Sequence, residues 1–286
     1  MKEIKTIAVI GAGIMGRGIA HVAALGGYRT VLQDISNEVL AAAMTAVETN
    51  LRKAVDRNLL AQPDAERALS RLTTEADFAQ AVAGADLAIE AVPERIELKT
   101  EVFVKLDEFC GEQTIFATNT SSLSVTEIAA VVSRPQSVVG MHFFNPVHKM
   151  KLVEIVRGLE SSETTIQCTR EVAKKMGKET VTIKESPGFI TSRINAMIGN
   201  EAFYMLQEGI ATAEEIDKAL KLGLNHPMGP FEMVDLVGLD TRLSILRFLH
   251  KTLGEKYRPC PLMEQYVKAG RLGRKTGKGV FDYKKE

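Results

Sequence analysis

The sequence predicts an α/β protein: a doubly wound parallel sheet with a helical-hairpin insertion, followed by an all-α C-terminal domain. Three observations carry this expectation. Short β-rich apolar runs alternate with longer amphipathic stretches up to about Lys184, the pattern of parallel strands joined by crossover helices. The first run leads directly into Gly11-Ala12-Gly13-Ile14-Met15-Gly16, a glycine spacing that turns a strand into a helix in the Rossmann-type arrangement. Beyond Ser186-Pro187-Gly188 the β-type runs stop and the apolar periodicity becomes helical.

Taken in order, KTIAVIG forms the first strand, an amphipathic helix follows, and YRTVLQD forms a second strand ending at Asp34. A long helical insertion runs from Glu38 to about Arg71, broken at Gln62-Pro63-Asp64, where Asp64 or a neighbour caps a second helix. The further strands are DLAIEAV, TIFATN and SVVGMHF, and MKLVEIV can return as a strand beside GMHFF. After Pro187 come FITSRINAMIGNEAFYMLQEG, then TAEEIDKALKLG with a cap-plus-acid start at Thr212, then the rigid turn NHPMGP and a long segment after Pro230. The expected domains are therefore 1–186 and 187–286.

With 286 residues the chain suits one or two domains. Its 36 basic and 36 acidic residues give a net charge of +0, so no global field recruits nucleic acid or an anionic membrane. No apolar run approaches a membrane span. The first apolar run is too short for a secretion signal, so the mature chain is expected to start at this N-terminus. Cys110, Cys168 and Cys260 are few and widely spaced, which favours inert thiols in a reducing compartment and a cytoplasmic protein.

The glycine motif assigns the nucleotide end. Gly11 permits a tight turn, Gly13 lets the backbone approach a pyrophosphate, and Gly16 allows close packing of a helix whose N-terminus faces the anion, with Ile14 and Met15 between them. Asp34, ending the second strand, accepts from ribose hydroxyls and repels a 2′-phosphate, which favours NAD over NADP. FAD shares this fingerprint, but no second flavin signature stands out.

Three segments follow strand ends on the carboxyl edge, where open α/β sheets hold their ligands: AVPERIELK, ATNTSSLSVTE and GMHFFNP. Asn119 and Ser121 offer short polar side chains there, and Ser122 or Ser124 can cap the next helix. His142, His148 and Glu154 stand at equal steps of six. A metal would need all three within about 2 Å of one point from a strand end, a loop and another strand. An acid/base pair asks less: an imidazole to exchange a proton and a carboxylate to hold its tautomer. We therefore expect no metal, a His142–Glu154 pair, and an expendable His148.

GAGIMG, ATNTSSL, GMHFFNPV with KLVEIV, SPGFI, NHPMGPFEMVDLVGLD and GRLGRKTGKGVFDY, in this order, closely resemble the L-3-hydroxyacyl-CoA dehydrogenases, nearest to the bacterial 3-hydroxybutyryl-CoA dehydrogenases. The resemblance spans essentially the whole chain. It implies an NAD-binding domain, a helical substrate and dimerisation domain, a homodimer, and reversible oxidation of a 3-hydroxyacyl-CoA. It puts the catalytic histidine at His142, its carboxylate at Glu154 and a substrate-contacting serine at Ser121. It puts cofactor contacts at the glycine motif, Asp34, Glu94, Lys99, Asn119, Ser121, Asn145 and Lys275. Coenzyme A would meet Asn50 and Arg57 in the helical hairpin, where relatives commonly carry Ser and Lys. The chain also departs at Ser192, where many members have a substrate-holding Asn; Ser192 acts through a water, or Asn195 one turn later replaces it. The rival readings are a dehydrogenase of a small free hydroxy acid and a non-enzymatic dinucleotide-binding protein.

Overall fold

The computed structural model describes residues 3–283. The chain divides into two compact units, one reaching to Ser186 and one starting at Pro187. Among the described residues no helix is long and apolar enough to cross a membrane.

The first unit is built on one eight-stranded sheet in the order β3-β2-β1-β4-β5-β6-β7-β8. β1 (Thr6–Ile10), β4 (Leu87–Glu90) and β6 (Val138–Phe143) are buried along their whole length. That is why they read as unbroken apolar runs rather than as alternating ones. β2 (Arg29–Gln33) and β5 (Ile115–Thr118) complete the predicted parallel set. β7 (Leu152–Arg157) returns antiparallel to β6, and β8 (Glu179–Lys184) runs parallel to β7.

The two edge strands, β3 (Leu72–Glu75) and β8, were not individually expected. LTTE and ETVTIK are polar and mostly exposed, so they lack the apolar run that marks an interior strand. Polar side chains also suit an edge, where open backbone groups invite unwanted pairing.

The helices follow their caps. α1 (Ile14–Leu25) starts at Gly13. The insertion is a hairpin of α2 (Asn37–Asp56), capped by Ser36, and α3 (Gln62–Arg71). Its break comes earlier than expected: Asn58 takes φ 56°, Ala61 is the cap residue without a side-chain bond, and Pro63 sits inside the first turn of α3. Proline is tolerated there because a first-turn N–H has no helical partner to lose. α4 (Phe78–Val82) is capped by Asp77, α5 (Ile96–Phe109) follows β4, α6 (Val125–Ala129) is capped by Ser124, and α7 (Glu163–Lys175) is capped by Ser162.

The second unit is helical: α8 (Thr191–Gln207), α9 (Ala213–Gly223), α10 (Pro230–Val237), α11 (Leu239–Leu253) and α12 (Pro261–Lys268). Thr212 and Glu215 form a reciprocal capping box on α9. The segment after Pro230 is two helices, because Gly238 adopts φ 105° and turns the chain between them. Phe203 meets Phe231 edge-on at 5.2 Å and Tyr266 at 5.7 Å in the middle of this unit's core.

Candidate active site

The glycine loop stands at the carboxyl end of β1. Gly11 has φ +96°, and its N–H donates to the Gln33 carbonyl at 2.8 Å. A Cβ there would sit 2.9 Å from the Ala91 carbonyl oxygen, and one on Gly16 would fall 1.7 Å from that of Gly11. Both positions are closed to any side chain. A Cβ on Gly13, in contrast, would meet nothing within 4 Å. The loop therefore faces open space in front of α1, whose first turn has no side-chain cap and no acidic residue. Bare N–H groups and the positive helix end make that space a diphosphate cradle. Ile14 is exposed there and Met15 packs inward.

Asp34 secures this loop. One oxygen accepts from Ala12 N–H at 2.8 Å and the other from Ser36 N–H at 3.2 Å. Each carboxylate oxygen keeps a further lone pair that can accept from a ribose hydroxyl. The residues present thus fit a dinucleotide.

His142 and Glu154 lie directly opposite one another in the β6–β7 register. His142 Nδ1 and Glu154 Oε2 are 2.6 Å apart, with His142 5 % exposed and Glu154 wholly buried. A carboxylate on Nδ1 fixes the tautomer in which Nε2 is the basic nitrogen. The Phe144 ring lies 4.5 Å from the imidazole and closes one side. The third member of the evenly spaced set, His148, stacks on His21 of α1 at 5.6 Å.

Ser121 sits in the loop between β5 and α6. Glu94 holds that loop: its Oε1 accepts from Thr120 Oγ1 at 2.7 Å, Ser121 N–H at 2.8 Å and Ser122 N–H at 3.2 Å. The Ser121 hydroxyl takes no part in this clasp. Asn119 Oδ1 accepts from Phe143 N–H at 3.0 Å, which joins the end of β5 to the residue after His142. Asn145 is exposed in the loop that follows β6.

The family description "3-hydroxyacyl-CoA dehydrogenase, NAD binding domain" matches residues 6–186, and "3-hydroxyacyl-CoA dehydrogenase, C-terminal domain" matches residues 188–283. The chain belongs to the 3-hydroxyacyl-CoA dehydrogenase family. It is 46% identical to a probable 3-hydroxybutyryl-CoA dehydrogenase of Bacillus subtilis, over 99% of both chains. It is 44% identical to a 3-hydroxybutyryl-CoA dehydrogenase of Bradyrhizobium diazoefficiens, over 98% of this chain and 96% of that one. The crystal structure of an (S)-3-hydroxybutyryl-CoA dehydrogenase from Ralstonia eutropha superposes with a TM-score of 0.96 at 43% identity, covering 99% of this chain and all of that one.

Within this 3-hydroxyacyl-CoA dehydrogenase, two of the residues expected at the cofactor are ion-paired within the protein. Lys99 is fully buried, and its ammonium meets both Glu90 oxygens at 2.7 and 2.9 Å and the Asn119 carbonyl at 3.1 Å. Lys275 Nζ is paired with Asp240 at 2.6 and 2.7 Å in the second unit.

The remaining expected residues are placed as follows. Asn50 lies on α2 and is partly exposed, while Arg57 is its exposed C-cap. Ser192 and Asn195 stand one turn apart on α8, both partly buried.

Glu90 was missed from sequence. It is wholly buried at the end of β4, and burial pushes its carboxyl above the ordinary range against the pull of Lys99. The available signal was a charge terminating an otherwise apolar interior strand, which demands a buried partner.

Proposed function

We propose that this family member reversibly oxidises the 3-hydroxyl of a short-chain L-3-hydroxyacyl-CoA, 3-hydroxybutyryl-CoA being the substrate its relatives point to. The observation that carries the reading is the buried 2.6 Å contact between His142 and Glu154, on the sheet edge that also bears the dinucleotide loop. The first unit holds NAD at Gly11, Gly13, Ile14, Met15, Gly16 and Asp34, with Glu94, Lys99, Asn119, Ser121 and Asn145 as the further contacts. When bound, NAD supplies the acceptor for the hydride that leaves C3.

The protein's part is proton transfer and charge control. His142 Nε2 takes the proton of the 3-hydroxyl in oxidation and returns it in reduction. Glu154 stabilises the imidazolium so formed and keeps the ring oriented. The Ser121 hydroxyl donates to the same substrate oxygen and steadies its developing charge. Ser192, or Asn195 in its place, holds the acyl group from α8.

Coenzyme A lies along the helical hairpin. Asn50 on α2 and Arg57 at its C-cap are seven residues apart, about two helical turns, and so near one face. The second unit also pairs the protein into a homodimer: Ile210, Leu222, Leu224 and Leu236 are exposed on it at 64%, 77%, 66% and 48%. A monomeric mass in solution would overturn that assignment. Three free cysteines fit a reducing compartment, and we place the enzyme in the cytoplasm.

The deciding assay follows nicotinamide absorbance with acetoacetyl-CoA, a longer 3-oxoacyl-CoA and free acetoacetate, each with NADH and with NADPH. Turnover of acetoacetyl-CoA with NADH is expected. Equal turnover of free acetoacetate would point to a hydroxy-acid dehydrogenase instead.

A further inference from the structure

We propose that the Arg242 guanidinium is the floor of an oxyanion site in the second unit, one that takes a carboxylate or phosphate group from outside this chain. Arg242 is the fourth residue of α11 and is 4 % exposed. Its Nε is sealed from solvent without a hydrogen-bond partner, whereas the two terminal nitrogens are not sealed in this way. The narrow opening that remains therefore reaches the fork itself. Among the described residues none accepts a hydrogen bond from this side chain or forms an ion pair with it.

The helix gives no packing reason for a cation here. Leu239, Leu243, Leu246 and Leu249 are the other buried residues of α11, and Arg242 shares their face at the spacing of a core stripe. A leucine or methionine would fill that place without taking a charge out of water. The position also lies near the helix end whose partial positive charge disfavours a cation. Burial pushes the pKa of Arg242 down to about 10, so the group is still charged at neutral pH.

The carboxylates that the second unit buries are engaged elsewhere. Asp217 accepts from the Phe231 and Glu232 N–H groups at 2.8 and 3.0 Å. Asp235 accepts from Val280 N–H, Phe281 N–H and Tyr283 Oη at 2.8, 2.9 and 2.9 Å. Asp240, two residues before Arg242 and so on another side of the helix, is held by Lys275. A buried cation left unpaired by its own chain calls for an anion from elsewhere. The guanidinium fork presents parallel N–H groups that suit the two oxygens of a carboxylate or phosphate. That anion is either free in solution or the carboxylate of a second copy; both bring the same oxygens.

Thermal melts of the NADH-saturated enzyme, in which the glycine loop is already occupied, test this with sodium acetate and sodium phosphate exchanged for chloride at constant ionic strength. For a free anion, the wild-type midpoint should rise with either salt and level off, and Arg242→Met should lose that response. Without added anion Arg242→Met should melt at or above the wild type, because it no longer buries a charge. A merely structural arginine would not make the two melting series cross. For a carboxylate of a second copy, the wild type should ignore both salts and Arg242→Met should self-associate about tenfold or more weakly in sedimentation equilibrium. Arg242→Lys keeps the charge without the fork; it should bind the free anion, or self-associate, about tenfold less tightly, and it carries the test should Arg242→Met fail to fold. A wild type indifferent to both salts, with self-association unchanged in Arg242→Met, overturns the proposal, water then satisfying the fork. An anion response that survives in Arg242→Met overturns it too, as does an Arg242→Lys variant equal to the wild type in every measurement.

Discussion

Glu90 and Glu154 are both fully buried carboxylates in one sheet, and each meets a side-chain nitrogen, at 2.7 and 2.6 Å respectively. The difference lies in the nitrogen. The Lys99 ammonium lies against Glu90, the Asn119 and Val92 carbonyls and Glu94, and its single nitrogen carries all of these contacts. An imidazole has two nitrogens: Nδ1 of His142 is anchored on Glu154, and the second lies across the ring from that anchor. One pair is suited to holding shape, the other to moving a proton, and the choice of base decides which.

Breaking the second pair should have the larger effect on turnover. His142→Gln is expected to lower kcat with acetoacetyl-CoA by about 10³- to 10⁴-fold with NADH affinity little changed, because it removes the general acid and base. Glu154→Gln keeps the shape but removes the counter-charge, for a loss of about 10²-fold or more. Full rate in either variant would undo the assignment. Ser121→Ala, which leaves both pairs whole, should cost about 10- to 100-fold in kcat; a change in KM alone would make Ser121 a binding residue only.

Asp34 lies outside both pairs and should respond in a different quantity. Asp34→Ala is expected to weaken NADH binding by about tenfold, or 1.4 kcal/mol, and to narrow the gap between NADH and NADPH. A variant with kcat depressed and NADH affinity intact would contradict the ribose role.

The comparison also has a pH floor. His21 is 4 % exposed, its Nδ1 has no hydrogen-bond partner, and its pKa is pushed down to about 4 by burial first, then by His148 and Lys178. The unfolded chain takes up the proton near 6.5 and the folded one does not, so stability is complete above that value and falls as pH drops towards 4. The full effect is on the order of 3 kcal/mol. Thermal melts of the wild-type protein should lose midpoint over this window, and His21→Leu should flatten the loss. A melt independent of pH in that window would remove His21 from the account.

The fold was legible where burial writes itself into the sequence. β1, β4 and β6 are wholly buried and spelled in apolar residues, whereas β3 and β8 are polar edge strands visible only through their pairing. The α10–α11 break at Gly238 and the early end of α2 at Asn58 depend on single backbone angles, which composition does not encode. At the site, the Asp34, His142 and Glu154 positions follow from strand ends and strand pairing. Lys99 could not be placed that way. A lysine in the first turns of a helix reads as solvent-facing or ligand-facing, and only the tertiary structure puts Glu90 beneath it.

The loop between β6 and β7 is held at three points. Val147 presses against Gly18, where a Cβ would come within 2.9 Å of it. His148 stacks on His21, and Lys178 Nζ donates to the Val147 and Met150 carbonyls at 2.5 and 2.8 Å. Such a loop has little slack to absorb an inserted or deleted residue, so a change in its length passes into the strands as a slip. A slip of one places His142 opposite Val153 or Ile155, and strand periodicity turns Glu154 to the other face. The twelve-position separation of His142 and Glu154 therefore acts as a ruler. An indel in the exposed turn at Asn58 changes only the hairpin, while one between Phe144 and Lys151 separates the histidine from its carboxylate without altering either.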